Sequence, residues 1–297
     1  MLQIMLFSCM CMPKFLSQAS HFYNFHIALL EIVKYFDLVK LTLLTKNFTK
    51  SRFDCILVVD TQNFFSKEIF QLDKGAWKLH SFLNENRSYS SAVSTSSMAF
   101  VFGGCTSRSE NTYEYLPKNS TIWKLGKAEI PSKFFAGFAI ATKAEDQILL
   151  IHGRRIVTFN VQDHTFKELP LKLKHIRMGH ACAYIPGTNK IIIAGGSKTD
   201  STEILDLDEE TITMGSSMNF MRAFHGIGIV TVDDEDKLAV FGGRNSLYDK
   251  TVYHDSVEFY NLKTKTWELS KDIKLPEGNR NFGFTNVKYD CISKLLK

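Results

Sequence analysis

Charged side chains that could do chemistry recur in this sequence at a near-constant interval. Arg87, Lys133, Arg177, Arg222 and Arg280 step by 46, 44, 45 and 58 residues. Tyr89, Phe135, Phe224 and Phe282 each follow one of these cations two positions later, and Gly179 holds that slot after Arg177. Glu68, Glu203 and Glu258 each open a short apolar run, Ile69-Phe70, Ile204-Leu205 and Phe259-Tyr260. A guanidinium facing a carboxylate makes a strong, directional, charge-assisted pair. His180 and His225, each three residues after an arginine, would form a ring of ligands if they met. Catalysis needs one asymmetric constellation, whereas a residue demanded by every repeat serves the repeat. Arg177, Arg222, Glu203 and Glu258 are therefore read as scaffold, and His180 and His225 as buried histidines at strand starts.

Catalytic motifs are missing elsewhere too. The chain has no G-x-S-x-G elbow, no phosphate loop and no H-E-x-x-H. Asp73-Lys74-Gly75-Ala76-Trp77 is similar to the aspartate box of sialidases, but it is one residue short and unrepeated. The expectation is no catalytic, cofactor-binding or metal-binding residue and a chain that is not an enzyme. Cys9 and Cys11 fit neither a zinc knuckle nor a CxxC redox motif, and Cys55, Cys105, Cys182 and Cys291 stand singly. These last four read as small buried hydrophobes, which favours a reducing, cytoplasmic compartment, with secretion as the alternative.

The elements that must position these residues change character along the chain. With 297 residues, 44% hydrophobic and 23% charged, the protein can bury a substantial core without disulfides or metals. A net charge of +5 is too small to point to nucleic acid. Residues 1–51 read as a partly helical extension. The apolar run Met1 to Met12 has no basic residue ahead of it, so it lacks the charged start of a secretory signal. Between Phe25 and Leu44, Glu31, Lys34, Asp37 and Lys40 fall every third residue along one stripe of a helix. A membrane span would have to bury all four at about 2.5–3.5 kcal/mol each, so the segment reads as an amphipathic helix and no span is expected.

Residues 52–297 are periodic. Apolar runs close on glycine at Phe100-Val101-Phe102-Gly103-Gly104, Leu149-Leu150-Ile151-His152-Gly153, Ile192-Ile193-Ala194-Gly195-Gly196 and Ala239-Val240-Phe241-Gly242-Gly243. Large apolar residues at Trp77, Trp123, Phe166, Ile212 and Trp267 step by 46, 43, 46 and 55. Two marker series share one period until the last unit, which carries an insertion around Asn245 to Asp255. Units of 40–50 residues holding four short strands are the blades of a β-propeller.

An arginine, Gly-His or a variant, an apolar strand ending in Gly-Gly, a glutamate with two apolar residues, and a Trp strand together resemble the kelch repeat. The fold expected is all-β: a kelch-type propeller of about five blades (six if one is incomplete) after a short helical extension. The aromatic of each outer strand should fill the gap between adjacent blades. The recurrent arginine should reach carbonyls or a glutamate of a neighbouring blade. The first unit, starting at Cys55-Ile56-Leu57-Val58-Val59, lacks an opening strand, and Arg280 to Val287 reads as an opening strand without a blade. The C-terminal strand is therefore expected to complete the N-terminal blade.

The resemblance implies a protein-interaction module without cofactors, whose loops choose the partner. After each glycine the loop turns basic, at Arg108, Arg154, Arg155, Lys198 and Arg244. These five residues form the candidate partner-binding rim, suited to an acidic or phosphorylated segment. Kelch propellers serve in cullin-type ubiquitin-ligase adaptors and as actin binders, so a cullin complex or actin is the partner expected. The segment Ala28 to Lys34 looks like the tail of a BACK helix, and 51 residues leave no room for a BTB domain. The alternative is a secreted kelch-type enzyme, galactose-oxidase-like or sialic-acid-mutarotase-like.

Overall fold

A run of apolar residues with no polar alternation stays buried only if both faces of its strand are covered. The computed structural model places each such run in the middle of a small antiparallel sheet. It describes residues 2–7, 57–59, 67–73, 76–106, 109–232, 235–247, 250–275 and 282–287. Every strand and bridge among them belongs to an all-β architecture, and no described residue is helical. The amphipathic helix expected over residues 25–44 lies outside the described residues.

The chain opens on β1 (Leu2–Phe7). A first sheet of three strands follows, β2 (Leu57–Val59), β3 (Glu68–Asp73) and β4 (Ala76–Phe82). The second has four, β5 (Ser91–Ser94), β6 (Met98–Phe102), β7 (Tyr113–Pro117) and β8 (Lys124–Leu125). The third has three, β9 (Phe138–Ala141), β10 (Gln147–Asn160) and β11 (Phe166–Arg177). The fourth comprises β12 (Ala181–Tyr184), β13 (Lys190–Ala194), β14 (Thr202–Asp206) and β15 (Thr211–Met214). The fifth begins with β16 (Gly226–Val232) and β17 (Glu235–Phe241). It is then interrupted by a separate hairpin, β18 (Arg244–Leu247) and β19 (Lys250–Tyr253). β20 (Ser256–Asn261) and β21 (Thr266–Lys274) complete it. The hairpin is the insertion expected around Asn245–Asp255.

Successive side chains of a strand point to opposite faces, and here both faces are core. In β6, Phe100 and Phe102 pack toward the third sheet while Ala99 and Val101 pack toward the first. Leu150 of β10 faces the second sheet, while Leu149 and Ile151 face the fourth. Ile191 and Ile193 of β13 face the third sheet, and Ile192 and Ala194 the fifth. The outer strands β8 and β15 are largely exposed. Trp123 is buried between the first and second sheets and Trp267 between the fourth and fifth, each filling the gap expected of it. The hairpins into the outer strands of the third, fourth and fifth sheets use one local device. The side-chain oxygens of Asn160, Asp206 and Asn261 accept the N–H two residues on, at 2.8, 3.1 and 2.9 Å.

Around the inner edge the sheets are laced by backbone. Ala136 N–H donates to the Tyr89 carbonyl (2.9 Å), Gly179 to Ala136 (2.6 Å) and Phe224 to Gly179 (2.6 Å). All four residues have positive φ, between +48° and +65°, which explains why glycine substitutes there for an aromatic. The opening strands pack in sequence, β5 on β9, β9 on β12 and β12 on β16. β22 (Phe282–Val287) lies against both β16 and β5 and closes the circuit. Its hydrogen-bonded partner differs from the one expected. β22 pairs antiparallel with β1, from Leu2↔Val287 to Phe7↔Phe282, and not with the first sheet. An apolar six-residue segment at the start of the chain supplies the ladder partner that was assigned to β2.

Candidate functional site

Three of the repeated arginines are wholly buried and form one recurring lock. Arg177, the last residue of β11, reaches into the fourth sheet. Its Nε and Nη2 donate to Glu203 Oε1 (3.1 and 3.0 Å) and its Nη1 to the carbonyls of Gly195 (2.6 Å) and Ser201 (2.8 Å). Arg222 repeats this with Glu258, Gly242 and Ser256, and Arg87 with Glu114, Gly103 and Thr112. The other carboxylate oxygen accepts backbone N–H groups, from Lys174, Asn219 and Asn84 at 2.6 Å each. Burial pulls each guanidinium below its ordinary pKa, and the facing glutamate pulls it back up. Each lock ties the crossover from one sheet to the third strand of the next, as scaffold arginines should. Glu114 was not singled out in the sequence, although it too opens an apolar pair and precedes Trp123 by nine residues.

The third sheet lacks the lock. Glu114, Glu203 and Glu258 pair across the ladder with Leu125, Met214 and Leu269. In the same register of the third sheet, Glu168 is opposed by Val157. Phe134, buried, stands where the others have arginine, one residue on from the Lys133 of the sequence spacing: its carbonyl accepts the Gly104 N–H (2.9 Å) as that of Arg222 accepts the Gly196 N–H (2.8 Å). Lys133 beside it is largely exposed and pairs with Glu110 at 2.7 Å. Both partners of the buried ion pair are replaced together, which avoids the cost of burying either charge alone. The loop that covers the arginine elsewhere is cut to a tight turn: β10 doubles back at Gly153, so that Val161 N–H reaches the Asp146 carbonyl (2.9 Å) as Leu207 reaches Asn189 in the fourth sheet.

What remains is a basic cavity of about 660 Å³. Its wall comprises Ser132, Lys133, His152 and Gly153 on one side and Arg154, Arg155, Lys172 and Ile176 on the other. Arg154 Nε donates to the Leu173 carbonyl (2.5 Å). Arg155 lies 3.8 Å from Glu168, which also binds Lys172. Burial, assisted by Arg155, lowers the pKa of His152, whose Nε2 has no hydrogen-bond partner among the described residues.

Of the five candidate rim residues, the cavity gathers Arg154 and Arg155. Lys198 is exposed on the loop after Gly196 and does not line it. Arg244 begins β18 and stacks its guanidinium 4.9 Å from the Phe224 ring, on the inner edge. Arg108 lies outside the described residues. Lys133, Lys172 and His152 join the site without having been marked as rim. Their signal was the single glycine of that unit.

His180 and His225 are buried, as expected, with neither ring nitrogen partnered among the described residues. Burial, then Arg177 and His152, holds His180 down at about 3. His225 is lowered well below the usual range by burial, Arg222 and His180. Among the described residues no group of three or more His, Cys, Asp or Glu is placed to hold a metal ion. Cys182 is buried, but Cys105 is exposed, contrary to its reading as a buried hydrophobe. It follows Gly104 on the loop, 3.0 Å from Ser88 Oγ, where the apolar run has already ended.

No family model matches the chain, and no curated protein matches it. Among solved structures, that of YjhT is similar with a TM-score of 0.63 at 13% identity, over 73% of this chain and 80% of YjhT. With the circuit of small antiparallel sheets, this likeness to a β-propeller gives the fold of the chain as a β-propeller.

Proposed function

We propose that the chain is a kelch-type propeller of five blades acting as a protein-interaction module, with its partner chosen at the glycine ends of the second strands. One contrast carries this reading. The repeated cations Arg87, Arg177 and Arg222 are buried and internally neutralised, whereas the cations after the glycines, Arg154, Arg155 and Lys198, face solvent. A buried Arg–Glu lock whose donors and acceptors are engaged serves packing, not proton transfer. Exposed guanidinium and ammonium groups on a rigid scaffold suit an acidic segment of a partner. Free Cys105 and Cys182 accord with a reducing compartment.

Affinity capture with the tagged chain, followed by mass spectrometry, tests the proposal; a cullin subunit, actin and an unrelated acidic protein are distinguishable outcomes. Reversing Arg154, Arg155, Lys198 and Arg244 together to Glu should abolish a salt-sensitive capture while leaving the melting temperature nearly unchanged. Undiminished, salt-independent capture by that variant counts against the glycine-end loops as the binding surface.

A further inference from the structure

We infer that the vacancy in the third sheet is a binding site for a doubly charged oxyanion borne on an extended peptide segment. The inference rests on the interaction reading and deepens it by naming the chemistry of the partner. At Gly196, the counterpart of Gly153 in the fourth sheet, an added Cβ would come within 3.3–3.4 Å of Met178 and Arg177, yet at Gly153 it would meet nothing within 4 Å. The space that a longer loop covers beside Gly196 is therefore open beside Gly153. Its charge is unbalanced. Lys133, Arg154, Arg155 and Lys172 face two carboxylates, Glu110 and Glu168, which leaves an excess of two positive charges.

The far wall is held in place before any ligand arrives. Between the pairs Gly153↔Arg177 and Arg155↔Lys172, β11 bulges outward. Glu203 of the fourth-sheet lock pins that bulge by accepting the N–H groups of Lys174 (2.6 Å) and His175 (3.1 Å). From the other side Arg154 grips the Leu173 carbonyl. A rigid wall lets cations bind an anion without first paying to order themselves. Ile176, 71% exposed on the same wall, offers an apolar contact to the residue beside the anion. A phosphorylated side chain and two adjacent carboxylates share this chemistry, and the experiment separates them.

Three fluorescein-labelled peptides of one sequence, carrying phosphoserine, serine or Glu-Glu at the central position, are titrated with the full chain and followed by anisotropy. The phosphoserine or the Glu-Glu peptide should bind at least ten-fold tighter than the serine peptide, and whichever does identifies the source of the anion. Arg154→Glu with Arg155→Glu should weaken that binding ten-fold or more. Lys198→Glu, a charge reversal off the cavity, should change it less than two-fold. Circular dichroism checks that both variants fold, and Lys172→Gln offers a milder second test in the same direction. Equal binding of all three peptides, or equal losses from the on-cavity and off-cavity reversals, overturns the inference. If cellular capture survives the Arg154/Arg155 double variant, the cavity is not the contact and the interaction reading stands. If the native chain captures no partner yet binds an anionic peptide through the cavity, the interaction reading fails and the site stands.

Discussion

The third sheet carries neither partner of the lock, with Phe134 and Val157 in their places, and the fourth can be stripped of both. Arg177 is fully buried, donates five hydrogen bonds and faces a carboxylate that is also fully buried. Glu203→Val alone strands that guanidinium without a counter-charge, and losing one partner of a buried pair costs about 3–5 kcal/mol. Arg177→Lys alone keeps the charge but forfeits the fork that spans Glu203, Gly195 and Ser201, leaving their acceptors short of donors at about 1–3 kcal/mol. In the double variant the lysine has no buried carboxylate to hold it and can extend toward solvent, and the valine joins the core, as Val157 does. The double variant should therefore cost less than the sum of the singles by about 2 kcal/mol, a coupling expected of residues in direct contact. Urea unfolding followed by tryptophan fluorescence reads this as a midpoint. At a slope of about 3 kcal/mol/M, Glu203→Val should lower it by about 1 M or more, and adding Arg177→Lys should lower it little further. Strict additivity of the two shifts would refute the idea that the partners of the lock were replaced together to spare a buried charge.

Trp267→Ala should cost about 3–5 kcal/mol, because it empties a gap between the fourth and fifth sheets, while Lys263→Ala in the exposed turn stays within about 0.5 kcal/mol; coincident denaturation midpoints would contradict the placement. Burial keeps His180 neutral down to about pH 3 in the folded chain, whereas unfolded it takes up a proton below about pH 6.5. Stability should thus fall as pH drops through that window, by at most about 1.4 kcal/mol per pH unit for this residue, and His180→Leu should flatten the slope measured from urea midpoints at pH 7, 6, 5 and 4. Deleting residues 281–297 removes β22 from its place between β16 and β5, so light scattering should report aggregation or calorimetry a much lower melting temperature; a monomer with unchanged melting would show that this strand does not close the circuit.

The period was legible because each sheet makes the same local demands on its own residues. A strand covered on both faces must be apolar without alternation, as at Ile191 to Ala194, and a backbone at positive φ favours glycine, as at Gly195. Asn160, Asp206 and Asn261 mark the outer hairpins by chemistry confined to three residues. The scaffold role of Arg177 and Arg222 could likewise be argued from repetition alone.

Other features depended on partners far away in the chain. That Val157 occupies the place of Glu114, Glu203 and Glu258 emerges from ladder register, since its neighbours Ile156 and Thr158 are equally plausible substitutes by eye. The cavity at Gly153 exists because the turn there is shorter than the loop at Gly196, and a vacancy has no residues of its own to read. Which edge takes β22 was decided by pairing across almost the whole chain, from Leu2 to Val287. A six-residue apolar strand carries no address in its composition; register and partner come from the faces and edges that the remaining sheets leave uncovered.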